Sequence, residues 1–129
     1  MKRFGIVGLG FIASRHIDAI KSVGGQLVAG CDIDESRKNI LSSDFYFETD
    51  YRQMAKYDLD YISICTPNDL HVEMTLFFHS KGVKVICEKP FSLGRAYCDI
   101  PFKNVFVCLQ LRYNIELLKS MKEVVRQSN

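Results

Sequence analysis

The sequence predicts an α/β protein, a doubly wound and mostly parallel sheet covered by helices, in a single domain of residues 1–129. Short apolar runs alternate with segments of helical period. Within several runs the residues are apolar almost without interruption, which is typical of strands buried on both faces. A glycine-rich turn, GLGFIA at residues 8–13, joins the first run to the first helical segment.

The strands and helices are predicted in turn along the chain. Strands are expected at residues 3–7, 26–31, 45–47, 60–65, 84–87 and 104–110. Helices are expected at residues 11–23, 35–41, 51–56, 69–81 and 113–127. The first helix stops at Gly24 and Gly25, which suit a helix C-cap.

The composition is that of an ordinary soluble globular protein, 47% hydrophobic and 25% charged. The 17 basic and 15 acidic residues are scattered, which argues against nucleic acid or an anionic membrane as a partner. No apolar run approaches the ~18 residues of a membrane helix, and the start is too glycine-rich for a signal peptide. The five cysteines contain no C-x-x-C pair, so we expect a reduced cytoplasmic protein without a metal site.

The glycine-rich turn is the first candidate binding feature. A turn from strand to helix can place a pyrophosphate on the free N–H groups at the positive end of the helix. Gly8 allows the tight turn, Gly10 leaves the backbone open to the pyrophosphate, and Ala13 keeps the helix close to the strand. The glycines alone also fit a purely structural turn.

Asp32 favours the binding interpretation. It follows the second strand, 22 residues after Gly10, where a carboxylate can accept hydrogen bonds from ribose hydroxyls. Dinucleotide binding in a Rossmann fold is therefore predicted, with NAD favoured because the carboxylate would repel a 2′-phosphate. Arg37 and Lys38 leave NADP open, and Asp32 could instead cap the next helix, a role for which Asp34 competes.

A third feature, Cys65-Thr66-Pro67-Asn68, follows the fourth strand. Ligands gather at the carboxyl ends of strands in such a sheet, so Thr66 and Asn68 are predicted to face the cofactor while Pro67 stiffens the loop. Asn68 could also cap the following helix. His71, just inside that helix, could contact the cofactor or equally be a satisfied surface histidine.

A fourth feature, Glu88-Lys89-Pro90, follows the fifth strand at the same edge. Lys89 could hydrogen-bond the nicotinamide ribose or a substrate hydroxyl, or take part in proton transfer. Alone, the three residues would indicate only an exposed turn.

Together the four features resemble the glucose–fructose oxidoreductase and inositol dehydrogenase superfamily over roughly residues 2–113. The runs LDYISICTPNDLH, VICEKP and LQLRY look like bacterial dehydrogenases that oxidise the 3-position of UDP-N-acetylglucosaminuronic acid for surface polysaccharide synthesis. The resemblance implies NAD, a sugar or nucleotide-sugar substrate, Lys89 as the catalytic-site lysine, and Gln110 and Arg112 at the cofactor–substrate junction. The predicted cofactor-binding residues are Gly8, Gly10, Phe11, Ile12, Asp32, Ile33, Cys65, Thr66, Pro67, Asn68, His71, Glu88, Lys89 and Gln110.

The sequence departs from the family pattern in two places. The family carries a further domain with the catalytic histidine, whereas this sequence stops at Asn129, where the helix of residues 113–129 would lead toward such a domain. Between Lys89 and the last strand the family has a full helix, and here only residues 91–104 are available, barely enough for a parallel crossover. Both departures indicate a shortened form that is incomplete for catalysis on its own.

Three functions are therefore weighed. The first is an NAD-dependent sugar oxidoreductase, and the second is a dinucleotide-binding module without turnover. A methyltransferase ranks last, because the Thr66 and Lys89 loops would have no role in it.

Overall fold

One six-stranded parallel sheet organises the chain, in a computed structural model that describes residues 1–40, 44–66, 70–87, 105–107 and residue 126. The spatial order is β3-β2-β1-β4-β5-β6, and every neighbouring pair is parallel. This is the strand order of doubly wound dinucleotide-binding domains, which confirms the predicted fold class. The strands are β1 (Arg3–Val7), β2 (Gln26–Cys31), β3 (Tyr46–Glu48), β4 (Tyr61–Ile64), β5 (Lys84–Cys87) and β6 (Val105–Val107).

The helices connect successive strands, as the alternating pattern predicts. They are α1 (Ala13–Ser22) and α2 (His71–Ser80), with 3₁₀ helices at Glu35–Ile40 and Tyr51–Tyr57. Gly24 has a φ of +77°, in keeping with its predicted role after the end of α1. The predicted C-terminal helix lies outside the described residues except for Arg126, which is helical. Within the described ranges, no helix is long and apolar enough to span a membrane.

The sheet is buried on both faces because its strands are apolar on consecutive residues. Phe4 and Ile6 of β1 lie in one buried cluster with Ile17 and Ile20 of α1. Val7 points to the opposite face, where α2 and the second 3₁₀ helix cover the strands; the buried residues there include Ile62, Ile64, Met54, Met74 and Phe78. Helices therefore cover both faces of the central strands.

β6 is parallel to β5, which agrees with the predicted crossover connection between these two strands. Val85 of β5 lies opposite Val105 of β6, and Cys87 lies opposite Val107. The connection between them, including residues 91–104, lies outside the described residues.

The carboxyl ends of the central strands are level with one another. Val7 is in register with Cys31 on one side and Ile64 on the other, and Ile64 is in register with Cys87. The loops that follow these strands therefore leave the sheet at one edge. In a doubly wound sheet this edge, at the point where the strand order reverses, is where ligands bind.

Candidate functional site

A cavity of about 700 Å³ opens at this edge of the sheet. Its lining comes from the glycine loop, from the segments after β2 and β3, and from the segment that runs from Cys65 into α2. The predicted residues that line it are Gly8, Gly10, Asp32, Ile33, Cys65 and Thr66. The structure thus brings together residues that the sequence places in three separate loops.

The two glycines of the turn have different surroundings. Gly8 has a φ of +93°, and a Cβ there would lie 2.7 Å from the carbonyl carbon of Cys65. Only glycine fits that position, because both the backbone conformation and the close approach exclude a side chain. A Cβ on Gly10 would meet nothing within 4 Å. Gly8 is therefore needed by the fold itself, whereas the space at Gly10 is free for a ligand.

The start of α1 offers unpaired donors beside Gly10. Ile12, the residue before the helix, provides no side-chain cap, and the first turn has no acidic residue. The N–H groups of Gly10, Phe11 and Ile12 donate to no residue in the described part of the chain. Uncapped N–H groups at the positive end of a helix form a favourable anion site.

The Asp32 carboxylate is half-buried and accepts two backbone hydrogen bonds. Leu9 N donates to Oδ2 at 2.8 Å, and Asp34 N donates to Oδ1 at 2.9 Å. A carboxylate has about four acceptor positions, so two remain for ligand hydroxyls. Asp34 is the residue that caps the 3₁₀ helix, because its Oδ1 accepts from both the backbone N and the hydroxyl of Ser36.

Exposed apolar side chains and paired charges lie at and near the mouth of the cavity. The Ile33 side chain is 91% exposed and lines the cavity, and Phe11, 89% exposed, lies beside the guanidinium of Arg15. Arg37 also lines the cavity and forms an exposed ion pair with Asp34 at 3.7 Å. Lys38 is paired with Glu35 at 3.9 Å instead.

Cys31 forms part of the cavity floor and is unsuited to nucleophilic chemistry. Burial raises the pKa of its thiol to about 12, and the neighbouring Asp32 charge adds to the shift. The thiol is therefore protonated at neutral pH. Cys31 and Cys87 are buried, whereas Cys65 is only half-buried and borders the cavity.

His71 is buried, so its interpretation as a surface histidine is wrong. Its side chain has no exposed area and does not line the cavity. The Nε2–H donates to the backbone oxygen of Thr66 at 2.5 Å, which ties the start of α2 to the loop after β4. On the same loop, the Thr66 hydroxyl points to the sulfur of Met74 at 3.5 Å.

Five predicted site residues lie outside the described residues: Pro67, Asn68, Glu88, Lys89 and Gln110. The strands that precede them, β4, β5 and β6, end side by side at the cavity edge. Their roles stay predictions.

The cavity also has a wall that the sequence motifs do not reveal. Thr49, Asp50, Tyr51 and Arg52 follow β3, and Glu73 reaches the cavity from α2. The Tyr51 ring is held edge-on against Phe77, with centroids 5.3 Å apart, and its hydroxyl pKa is raised by burial and by the Glu73 charge. The sequence could indicate this wall only through its position, because residues after a third parallel strand must leave the sheet at the same edge.

Comparison with known proteins then places the chain. Residues 2–100 match the GFO/IDH/MocA family, described as an oxidoreductase family with an NAD-binding Rossmann fold. This chain belongs to that family. The result confirms the superfamily resemblance and NAD as the family's cofactor.

Several members of the GFO/IDH/MocA family resemble the chain closely enough to align over most of it. D-apiose dehydrogenase of Paraburkholderia graminis is 33% identical over 103 residues, covering 74% of this chain and 28% of that protein. Inositol 2-dehydrogenase of Rhizobium meliloti is 32% identical over 112 residues, covering 84% and 32%. The chain thus spans about a third of the length of these relatives.

Among solved structures, the WlbA (WbpB) dehydrogenase of Thermus thermophilus in complex with NAD and UDP-GlcNAcA superimposes with a TM-score of 0.74. It is 30% identical, and the match covers 87% of this chain and 43% of that one. The described residues fit the family's cofactor. Gly10 leaves room for a pyrophosphate, the start of α1 has free donors, and Asp32 keeps two acceptor positions.

Proposed function

We propose that this chain is the NAD-binding domain of a sugar oxidoreductase. The observation that carries the proposal is the single open cavity that Gly10 and the half-buried Asp32 share, beside the uncapped start of α1. These features supply, in order, space for a pyrophosphate, donors for its charge and an acceptor for ribose hydroxyls. No other pair of predicted features meets in this way among the described residues.

The proposed binding mode assigns each group of residues a task. The N–H groups of residues 10–12 donate to the pyrophosphate, and Asp32 accepts from the adenosine ribose. Ile33 provides apolar contact at the exposed rim. The Cys65–Thr66 segment forms the opposite wall, which His71 holds in place through the Thr66 carbonyl.

When bound, NAD would accept a hydride from a CH–OH carbon of the sugar, and in the reverse direction NADH would return it to the carbonyl carbon. In the proposed site Lys89 donates a hydrogen bond to the reacting hydroxyl or, in its neutral form, accepts the proton that this hydroxyl loses. Glu88, Pro67, Asn68 and Gln110 border the cofactor. The finer proposal is oxidation of the 3-position of a UDP-N-acetylhexuronic acid in cytoplasmic synthesis of surface polysaccharide. Support for it comes from the Lys89 and Thr66 motifs and from the likeness to the Thermus dehydrogenase, whose structure holds UDP-GlcNAcA. Residues 113–129 are proposed to form a helix at the end of the domain.

Titration calorimetry with NAD and NADP tests the cofactor assignment. NAD should bind more tightly, because the Asp32 carboxylate repels a 2′-phosphate. Tighter binding of NADP would contradict this assignment and make Arg37, which lines the same cavity, the residue to replace first.

Turnover of UDP-N-acetylglucosaminuronic acid tests the substrate assignment. The 129-residue chain is expected to bind NAD without oxidising sugar. In the enzyme that carries this domain, Lys89→Met should lower kcat by about a hundredfold, a typical general acid–base contribution. NAD affinity should change little, and Lys21→Met on the surface of α1 is the control. Sugar oxidation by the chain alone would contradict the assignment, and the absence of turnover in the full enzyme would favour a binding module.

A further inference from the structure

The Asp32 carboxylate contacts the glycine loop directly. Its Oδ2 accepts the N–H of Leu9, 23 residues earlier in the chain, at 2.8 Å. Leu9 stands between the two glycines of the turn. The same carboxylate that is proposed to bind the ribose is therefore already bonded to the backbone that is proposed to bind the pyrophosphate.

Three contacts fix this loop before any ligand is present. The Leu9 side chain is fully buried in the core under α1. Gly8 N donates to the carbonyl of Cys31 at 2.8 Å, and Gly8 itself packs against the peptide between Cys65 and Thr66. The Asp32 bond to Leu9 N is a fourth contact, and among the four it alone comes from a charged side chain.

We propose that Asp32 is a positioning residue for the glycine loop in addition to its ribose contact. Through Leu9 N it sets the direction in which the N–H groups of residues 10–12 face the pyrophosphate. The ligand in this inference rests on the proposed function, but the loop contact does not. The carboxylate thus organises two parts of one binding site that are usually considered separately.

Electrostatics predicts the direction in which phosphate binding changes when the Asp32 charge is removed. A negative charge near the pyrophosphate repels it, so removing the Asp32 charge alone should strengthen phosphate binding. Weaker binding at the phosphate end would then indicate the loss of a backbone contact of Asp32 and not the loss of its charge. An amide is also a poor replacement, because Asn has one acceptor oxygen and Asp32 accepts from two different N–H groups.

The chain contains a matched control for the Asp32–Leu9 bond at the amino end of β1. Asp60 Oδ2 accepts the backbone N–H of Arg3 at 2.8 Å, so it makes the same kind of bond at the amino end of β1. Asp60 does not line the cavity. Asp60→Ala therefore removes a comparable contact and charge without touching the glycine loop.

Amide hydrogen exchange of the ligand-free protein tests the loop contact by itself. Leu9 N–H should exchange at least about tenfold faster in Asp32→Ala than in the wild type, and at the wild-type rate in Asp60→Ala. Asp32→Asn, which keeps one of the two bonds, provides a second variant if the alanine variant does not fold. Wild-type protection of both Leu9 and Asp34 in a folded Asp32 variant would overturn the proposal.

A ligand cycle tests the consequence for binding. The analogue is an NAD whose adenosine ribose lacks the 2′- and 3′-hydroxyls, so it cannot use the ribose contact. If Asp32 also positions the loop, Asp32→Ala should still weaken this analogue at least about fivefold, and Asp60→Ala should not. Unchanged or tighter binding of the analogue by Asp32→Ala would show that the ribose contact is its whole role. If the wild type binds neither ligand, the proposed function fails and the Leu9 exchange rate alone decides the inference.

Discussion

The two ends of the sheet are built for different purposes. At the amino end the Arg3 guanidinium donates to the carbonyls of Tyr57 and Asp58, at 2.7 and 2.9 Å, and the ring of Phe4 fills the space beside Gly25. At the carboxyl end, donors and acceptors are left open around a cavity of about 700 Å³. Stability is concentrated at the closed end and binding at the open one, so substitutions at the two ends should separate the two properties.

Gly8→Ala tests where that separation stops, because Gly8 lies at the open end yet serves the fold. The substitution combines a positive φ with a Cβ 2.7 Å from the Cys65 backbone. We expect a loss of about 2–5 kcal/mol in the free energy of unfolding, from left-handed strain and overpacking together. Urea denaturation measures it. A variant as stable as the wild type would show that the loop adjusts easily.

Gly10→Val, two residues later, should give the opposite result. The Cβ position is empty, so the free energy of unfolding should change by less than about 1 kcal/mol. A branched side chain would occupy the pyrophosphate space, and NAD affinity should fall at least about a hundredfold, roughly 2.7 kcal/mol. Calorimetry checks the affinity and thermal unfolding checks the fold. Wild-type affinity would mean that the loop is only a turn.

Gly25→Ala probes the closed end. A Cβ there would lie 2.5 Å from the Phe4 ring, which is fully buried and has little room to move. Overpacking should cost about 1–3 kcal/mol of stability. The NAD dissociation constant of the folded variant should equal that of the wild type. A matching loss of affinity would show that the two ends are coupled.

The smallest expected effect comes from a polar group on the edge strand β3. Glu48 accepts a hydrogen bond from the Tyr57 hydroxyl and forms an ion pair with Lys56 at 3.0 Å. These contacts lower the pKa of the Glu48 carboxyl below 4.5. Burial, followed by the Glu48 contact, raises the pKa of Tyr57 to about 12.

The two shifts predict opposite limits of pH stability. The contribution of Glu48 is complete above pH 4.5 and is lost as the pH falls through its folded pKa. That of Tyr57 is complete below pH 10 and is lost as the pH rises toward about 12. Glu48→Gln should therefore flatten the acid side of a plot of Tm against pH while leaving NAD affinity unchanged. An unaltered acid limb would mean that the contact contributes nothing measurable.

The sequence was informative where a pattern has one physical cause. Nearly unbroken apolar runs bounded by turn residues indicate doubly buried strands, so the central strands and their parallel class were predictable. Both short helices were predicted in place, but their 3₁₀ geometry was not, since Glu35–Ile40 buries no residue that would set an α-helical period. Asp32 was placed by its distance from the glycines.

The rest of the site depended on contacts between distant segments. His71 is buried and bonded to the backbone oxygen of Thr66, a contact that the spacing of the two residues in the sequence does not predict. The Asp32 bond to Leu9 likewise requires the register of β1 against β2. Tyr51 and its neighbours follow a strand of only three residues, too short to mark its own end in the sequence.

The position of β1 also has a consequence for the synthesis of the protein on the ribosome. It lies between β2 and β4 in the sheet, and β4, its second partner, begins only at Tyr61. At about 5–20 residues per second, the ribosome completes that partner roughly 3–11 seconds after β1. During this interval an apolar strand with one unpaired edge is exposed on the nascent chain. Chaperone contact is therefore expected to concentrate on Arg3–Val7 until β4 emerges.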